Sequence, residues 1–427
     1  MKRTDVLYQQ YLQILEEELR PAMGCTEPIA LAYAGAKARA LLGVLPEKIT
    51  VWVSGNIIKN VKSVVVPNTG GLHGIAAAVC AGVVAGKAEK QLEVISCVTE
   101  EEQARLKAFM ETAQVEINPS ESELVFDIDL YLYAGNDCVR IRIVNHHTNI
   151  VHLSKNGQVL LDLPITESSE DHLTDKSCLC MEKIVEFADC LDPEDVRHTI
   201  GKQIEYNMAI AAEGIEHNWG ANIGSVILRR QGETVERRAA AYAAAGSDAR
   251  MSGCEKPVII LSGSGNQGIT ASVPVAVFAQ HLGVSEELLF RAVAVSDLVT
   301  VHQKTGIGRL SAYCGAISAG CGAGAGIAYL YGGRQDAVAH TVVNAIAILS
   351  GTICDGAKPS CAAKIAAAVD AGILGYAMFL ENQQFYGGDG IVTKGADRTV
   401  TNVGRLAREG MRETDRTILK IMLEDPC

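Results

Sequence analysis

Aromatic residues are scarce: seven Phe, two Trp and twelve Tyr make up 5% of a 427-residue chain that is 48% apolar. The apolar mass is Ala, Val, Ile and Leu, accompanied by 41 glycines, a composition suited to helices that pack closely through small residues. An excess of positive charge is also missing. With 38 basic against 50 acidic residues the net charge is −12, which argues against a nucleic-acid partner, whose binder shows a basic footprint. It argues equally against an anionic membrane surface. No secretory leader is visible: Met1-Lys2-Arg3-Thr4-Asp5 runs into a charged amphipathic segment. Thirteen cysteines without such a leader imply reduced thiols and a cytoplasmic location rather than a disulfide framework. Unbroken lipid-type runs are lacking too. Residues 257–285 and 310–333 carry no Asp, Glu, Lys or Arg, but polar and glycine-rich segments such as Ser262–Gly268 interrupt them. They read as buried core with polar loops. The alternative, a multi-span membrane protein, predicts a chain that sediments with lipid.

What is present divides the chain in two, an α+β arrangement. Val6, Leu7, Tyr11, Leu12 and Leu15 recur at helical spacing over Asp5–Glu18, and Arg20-Pro21 ends that helix. The loop Met23-Gly24-Cys25-Thr26-Glu27-Pro28 opens an alanine-rich helix to about Leu42, with Thr26 as its expected N-cap. Ile49–Val53 and Val61–Val66 read as a strand pair. Residues 124–162 alternate clearly, with turns at Gly135-Asn136-Asp137 and Asn156-Gly157, and predict antiparallel hairpins. The expected first domain is 1–165, mixed α/β and carrying the Cys25 loop. A polar linker follows at about 166–177. The second domain, 178–427, is expected to be all-α and rich in Gly and Ala. Small-residue helices with few charges leave surface for a homodimer.

Three cysteines sit where backbone can approach a bulky group closely: Tyr313-Cys314-Gly315, Ile353-Cys354-Asp355-Gly356 and Pro359-Ser360-Cys361. A four-iron cluster needs four ligands, so a protein supplying three leaves one iron open as a Lewis acid. None of the three belongs to a CxxC pair, and ordinary core cysteines are the competing reading. Cys25 precedes a helix start, where the dipole favours a thiolate. Gly71-Leu72-His73-Gly74-Ile75 and Gly265-Asn266-Gln267-Gly268-Ile269 echo each other as glycine-rich turns ahead of small-residue helices. Such turns hold carboxylates, which makes His73, Asn266 and Gln267 candidate substrate contacts. Lys304 and Arg309 are candidate partners for the same carboxylate. Cys321 lies about 10.5 Å of helical rise beyond Cys314, too far to share a cluster along an unbroken helix. Cys178 and Cys180 read as incidental, and His146, His147 and His152 as surface sheet residues. Cys427, at the end of the chain, suggests a terminal thiolate that caps an open iron, against the plainer reading of a frayed tail.

As a set, these motifs resemble the L-cysteine desulfidase family, related to the iron–sulfur L-serine dehydratases. The carrying residues are Gly24–Pro28, His302-Gln303-Lys304-Thr305-Gly306 with Cys314-Gly315, and Gly351–Gly356 followed by Pro359-Ser360-Cys361. The resemblance covers nearly the whole chain, its dehydratase-like part from about residue 180 onward. It implies a pyridoxal-phosphate-independent lyase with a [4Fe-4S] cluster on Cys314, Cys354 and Cys361. It also implies an active-site Cys25, acting as the base for the α-proton or as a displaceable cluster ligand. The segment Asp355–Ser360 is shorter than in serine dehydratases, and Tyr313–Ile317 departs from their pattern, which favours the desulfidase branch. The implied substrate is L-cysteine, a small-molecule amino acid whose thiolate suits a thiophilic iron, and the products are pyruvate, ammonia and sulfide. The alternatives are L-serine dehydration and a non-catalytic iron–sulfur sensor.

Overall fold

The structure is a computed structural model that describes residues 1–122, 124–165, 173–308 and 311–424. Arg309, Cys427 and most of the expected linker lie outside the described residues. In chain order the elements that build the site are α1 (Val6–Glu18), β1 (Arg20–Met23), α2 (Thr26–Leu42), β2 (Lys48–Val53), α3 (Gly55–Val61) and α4 (Gly74–Ala85). Then come β3 (Gln114–Pro119), β4 (Asp127–Ala134), β5 (Asp137–Val144), β6 (Ile150–Lys155) and β7 (Gln158–Asp162). The remainder is helical apart from one short strand: α5 (Met181–Cys190), α6 (Lys202–Glu216), α7 (Val235–Met251), β8 (Pro257–Ile260) and α8 (Gly265–Leu282). It closes with α9 (Glu286–Ile307), α10 (Gly315–Leu330), α11 (Gln335–Leu349), α12 (Cys361–Leu380) and α13 (Arg412–Glu424).

One lobe is a six-stranded sheet in the order β3-β2-β4-β5-β6-β7, with β2 and β3 parallel and the rest antiparallel. The alternation read from the sequence sets its two faces. Val51, Ile128, Leu130, Ile141 and Ile143 are buried in the core shared with α2 and α4. The other face carries cross-strand ion pairs: Arg140 grips Asp129 at 2.8–2.9 Å, and Arg142 grips the buried Asp127 at the same distances. The strand expected at Val61–Val66 is not formed. Ile57, Ile58 and Val61 belong to α3, whose inner face packs into the sheet core, and Val65 makes only an isolated bridge to His73. The parallel strand β3 had no expectation, because its partner β2 lies far back in the chain.

In the other lobe α10 runs through the centre with every residue after Gly315 buried. Its glycines let two neighbours approach. A Cβ at Gly320 or Gly324 would lie 2.4 or 2.6 Å from carbonyl oxygens of α12. One at Gly322 or Gly326 would lie 2.4 or 2.7 Å from carbonyl oxygens of α9. This is what a core poor in aromatics looks like: backbones in contact rather than large rings between them. α9 also carries a fully buried carboxyl, Asp297, which accepts a 2.9 Å hydrogen bond from Gln203 Nε2 of α6. Burial pushes the Asp297 pKa up to about 8, outweighing that hydrogen bond. Neither charge-free stretch is a membrane-length apolar helix among the described residues. α12 alone is long and apolar enough, and it packs against α7, α10 and α11.

The two ends of the chain cross between the lobes. Tyr8 and Tyr11 of α1 pack on Phe187 of α5 with ring centroids 5.1 and 5.3 Å apart, and β1 pairs antiparallel with β8. The first 23 residues therefore pack with the helical lobe, and the boundary drawn at 165 divides the sequence but not the packing. At the other end α13 returns to the sheet lobe, where Lys59 Nζ of α3 meets Asp415 at 2.5 Å.

Candidate active site

Four helix N-termini meet around one cavity of about 110 Å³ between the lobes. Cys25 is the N-cap of α2, with extended backbone (φ −83°, ψ 132°), and Thr26, the expected cap, is instead the first helical residue. Cys314 is the N-cap of α10, Cys361 is the first residue of α12, and Ser264 caps α8. Unpaired N–H groups and helix dipoles make the cavity wall electropositive before any side chain is counted.

Local pairing places the three cysteines of the C-terminal lobe. The Cys314 N–H donates to Thr352 O at 3.0 Å and the Cys354 N–H donates to Ala312 O at 2.6 Å. Tyr313 thus stands opposite Ile353 in a short antiparallel ribbon that brings Cys314 and Cys354 to the same side. The loop to Cys361 turns at Gly356, whose φ of +96° favours glycine and where a Cβ would sit 2.0 Å from Lys59 O of α3. Asp355 anchors this loop through Lys358 and through Lys364 Nζ at 2.6 Å. Burial works against its charge, but the two ammonium groups win and hold the carboxyl down at about 2. The thiols respond oppositely. Burial pushes Cys314 up to about 12, helped by the nearby Cys354, and raises Cys361 as well.

Cys25 departs from its expected behaviour. The dipole argument favours a thiolate, yet burial dominates at a residue 3% exposed and pushes its pKa up to about 12. The guanidinium of Arg250 beside it acts the other way, while Glu27 and Cys361 add to the rise.

Cys25, Cys314, Cys354, Cys361, Asn266, Gln267 and Lys304 all line the cavity. Asn266 and Gln267 sit in the first turn of α8. Asn266 Oδ1 accepts from Arg250 Nη1 at 3.2 Å, and the Gln267 carboxamide lies over Gly315, where a Cβ would come within 2.7 Å of it. Gln267 Oε1 is buried with no hydrogen-bond partner among the described residues. Lys304, in the last turn of α9, lines this cavity and also a second one of about 850 Å³ that reaches towards α13. His73 is not brought to the site. It is the exposed N-cap of α4, because that helix begins only after its glycine-rich turn. Cys321 is buried inside α10, and Cys178 and Cys180 lie elsewhere; none of these lines the cavity. Arg250 and Glu27 are among the wall residues that had no role in the sequence reading. Glu27 stood inside the Gly24–Pro28 motif. Arg250, at the end of α7, had no local signal at all.

Among the described residues no group of three His, Cys, Asp or Glu converges tightly enough for a single metal ion. The three thiols line the same cavity, and soft thiolate donors of this kind suit a thiophilic iron–sulfur group.

The family model for the serine dehydratase alpha chain matches residues 89–420. That match begins well before residue 180, the expected start of the dehydratase-like part, because it takes in strands β3 to β7 as well as the helical lobe. A UPF0597 protein of Desulfitobacterium hafniense is 57% identical over 99% of this chain and 98% of its own length. A UPF0597 protein of Lachnoclostridium phytofermentans is 48% identical, covering 98% of this chain and 100% of the relative. One of Treponema denticola is 43% identical over 98% of each. Matched by the family model over residues 89–420 and by these relatives along almost its whole length, the chain belongs to the serine dehydratase alpha-chain family, among the UPF0597 proteins.

Proposed function

We propose that the protein is an iron–sulfur-dependent lyase that eliminates sulfide from L-cysteine, giving pyruvate and ammonia. The observation that supports this most is the convergence of Cys314, Cys354 and Cys361 with Cys25 on one cavity walled by four helix N-termini. The family match supports a pyridoxal-phosphate-independent, dehydratase-like lyase. The three thiols are the ligands for a [4Fe-4S] cluster, and when bound it would supply a Lewis-acidic iron towards the leaving group.

The chain's own residues do the rest. A base takes the proton from Cα, the Cβ–S bond breaks, sulfide departs with the bond's electron pair, and aminoacrylate hydrolyses to pyruvate and ammonia. Cys25 Sγ is the candidate for that base: burial holds its thiol protonated in the protein alone, and Arg250 beside it is the group that favours the thiolate the role requires. The competing role for Cys25 is a cluster ligand that substrate displaces. The helix N-termini and the amides of Asn266 and Gln267 suit a substrate carboxylate. Residues of both lobes line the cavity.

L-Serine dehydration is the second reading, favoured by the family's description, with water as leaving group. Anaerobic reconstitution with iron and sulfide, followed by sulfide and pyruvate assays on both amino acids, decides between them. Equimolar sulfide and pyruvate from L-cysteine, with cluster iron and turnover both lost in Cys354→Ala, is the expected result. A cluster without turnover on either amino acid would move the protein to a sensor role. Cys25→Ser that retains iron but not turnover assigns Cys25 as the base; loss of iron assigns it as a ligand.

A further inference from the structure

We propose that Arg250 and Glu27 form a two-ended clamp for the zwitterion of an α-amino acid, Arg250 taking the carboxylate and Glu27 the ammonium, with Cα held at Cys25. The inference rests on the amino-acid reading above and names how the substrate class is selected.

Arg250 is 2% exposed, yet it has no carboxylate partner among the described residues. Its one hydrogen bond to oxygen goes to the neutral Asn266, its Nε has no partner, and its other polar neighbour is the buried Cys25 thiol, which burial keeps neutral in the protein alone. A buried guanidinium without an anion is costly and is retained where a ligand supplies the charge. It lies across the first turn of α8, where a Cβ on Gly265 would stand 2.3 Å from Nε. Helix dipole and guanidinium therefore favour an anion at the same place. Glu27 shows the opposite charge with the same lack. It is 7% exposed, accepts from Asn60 Nδ2 at 3.0 Å and Thr26 Oγ1 at 3.1 Å, and has no cationic partner among the described residues. Lys59 in the same wall is already engaged with Asp415. Both charges line the cavity, and Cys25, the N-cap of the helix whose first turn carries Glu27, lines it with them. A ligand with a carboxylate and an ammonium on one carbon neutralises both ends at once. A simple amine or a simple carboxylic acid leaves one buried charge unpaired.

The test is calorimetric titration with L-alanine, an α-amino acid with no leaving group, with propionate and ethylamine as one-ended probes, on the cluster-loaded and cluster-free protein. L-Alanine is expected to bind at least ~10-fold tighter than either one-ended probe. Glu27→Gln and Arg250→Gln should each weaken L-alanine by about 30-fold or more, with partial rescue in Arg250→Lys. Arg250→Gln should also erase the advantage of L-alanine over ethylamine. Absent L-alanine binding, equal binding by a one-ended probe, or unchanged affinity in a folded Arg250→Gln protein would overturn the clamp. So would an Arg250→Gln effect confined to the pH dependence of Cys25 alkylation, since Arg250 would then serve only the thiol. If Arg250→Gln does not fold, Glu27→Gln and the probe series on the unaltered protein decide the question in its place. L-Alanine binding without turnover of L-cysteine or L-serine sinks the lyase and spares the clamp. Turnover with unchanged KM in Glu27→Gln does the reverse.

Discussion

Each lobe contains the pattern G-x-x-G-I-x-A-x-V, once at Gly71–Val79 and once at Gly265–Val273, and only the second copy reaches the active-site cavity. The difference is one of register between motif and helix. α4 starts at the last glycine of its turn, Gly74, so His73 is a cap and points to solvent. α8 starts at the first, Gly265, so Asn266 and Gln267 are carried in the opening helical turn against α10. The matching glycines do different work. Gly74 has φ +89° and open space, its nearest neighbour 3.7 Å from a would-be Cβ, and it turns the chain. Gly268 has no such φ, but a Cβ there would lie 2.0 Å from Ile259 O, so it seats α8 on β8. A repeated pattern is thus no guide to repeated function until the helix start is fixed.

The strongest way to break this comparison is at those two glycines. Gly268→Ala should lower stability by ~3 kcal/mol or more, through a backbone clash that no rotamer relieves, while Gly74→Ala should cost only about 1 kcal/mol of strain. Thermal unfolding of both variants reads the contrast, and similar shifts would show that the two turns are equivalent after all. Next in size is turnover. Gln267→Ala should reduce kcat/KM by about 10- to 100-fold through loss of a polar contact to a charged substrate, against less than about two-fold for His73→Ala. A large effect at His73 would restore it to the site.

A further contrast, read across pH, concerns how each lobe holds a buried carboxyl. Asp127 on the sheet is paired bidentately with Arg142, whereas Asp297 among the helices has only an amide partner. An Asp carboxyl in the unfolded chain titrates near ~3.9, and in the folded protein Asp297 titrates near 8. The stability its neutral form contributes is therefore full below the unfolded value and lost as pH rises towards the folded one. Asp297→Asn should flatten that decline in a urea-midpoint series from acid to mildly alkaline pH. An unchanged slope would mean that the carboxyl is ionised in the fold.

Much of the fold and the site was legible in the sequence because the signals were local. The alternation of residues 126–143 marked the hairpins, and glycine or proline beside Cys314, Cys354 and Cys361 marked tight backbone at all three. Thr26 and Cys25 were one position apart as caps. What escaped depended on distant partners. β3 is a strand because β2 lies beside it. Ile57, Ile58 and Val61 look like strand residues but face a core that only the folded sheet provides. Arg250 was one cation among 38, and only its burial without a carboxylate singles it out.

The pairing of β1 with β8 has a consequence for how the chain is made. Arg20–Met23 leaves the ribosome with its partner Pro257–Ile260 more than two hundred residues behind it. Until that partner emerges, the segment just ahead of Cys25 has no ladder to join, and such non-local pairing is slow to form. The sheet lobe can collapse early, but the wall holding Cys25 closes only after the helices bearing Cys314 and Cys361 exist to receive it. Assembly of the cavity is therefore among the last events of folding, and an inorganic cofactor would meet this protein as a nearly finished molecule rather than a nascent one.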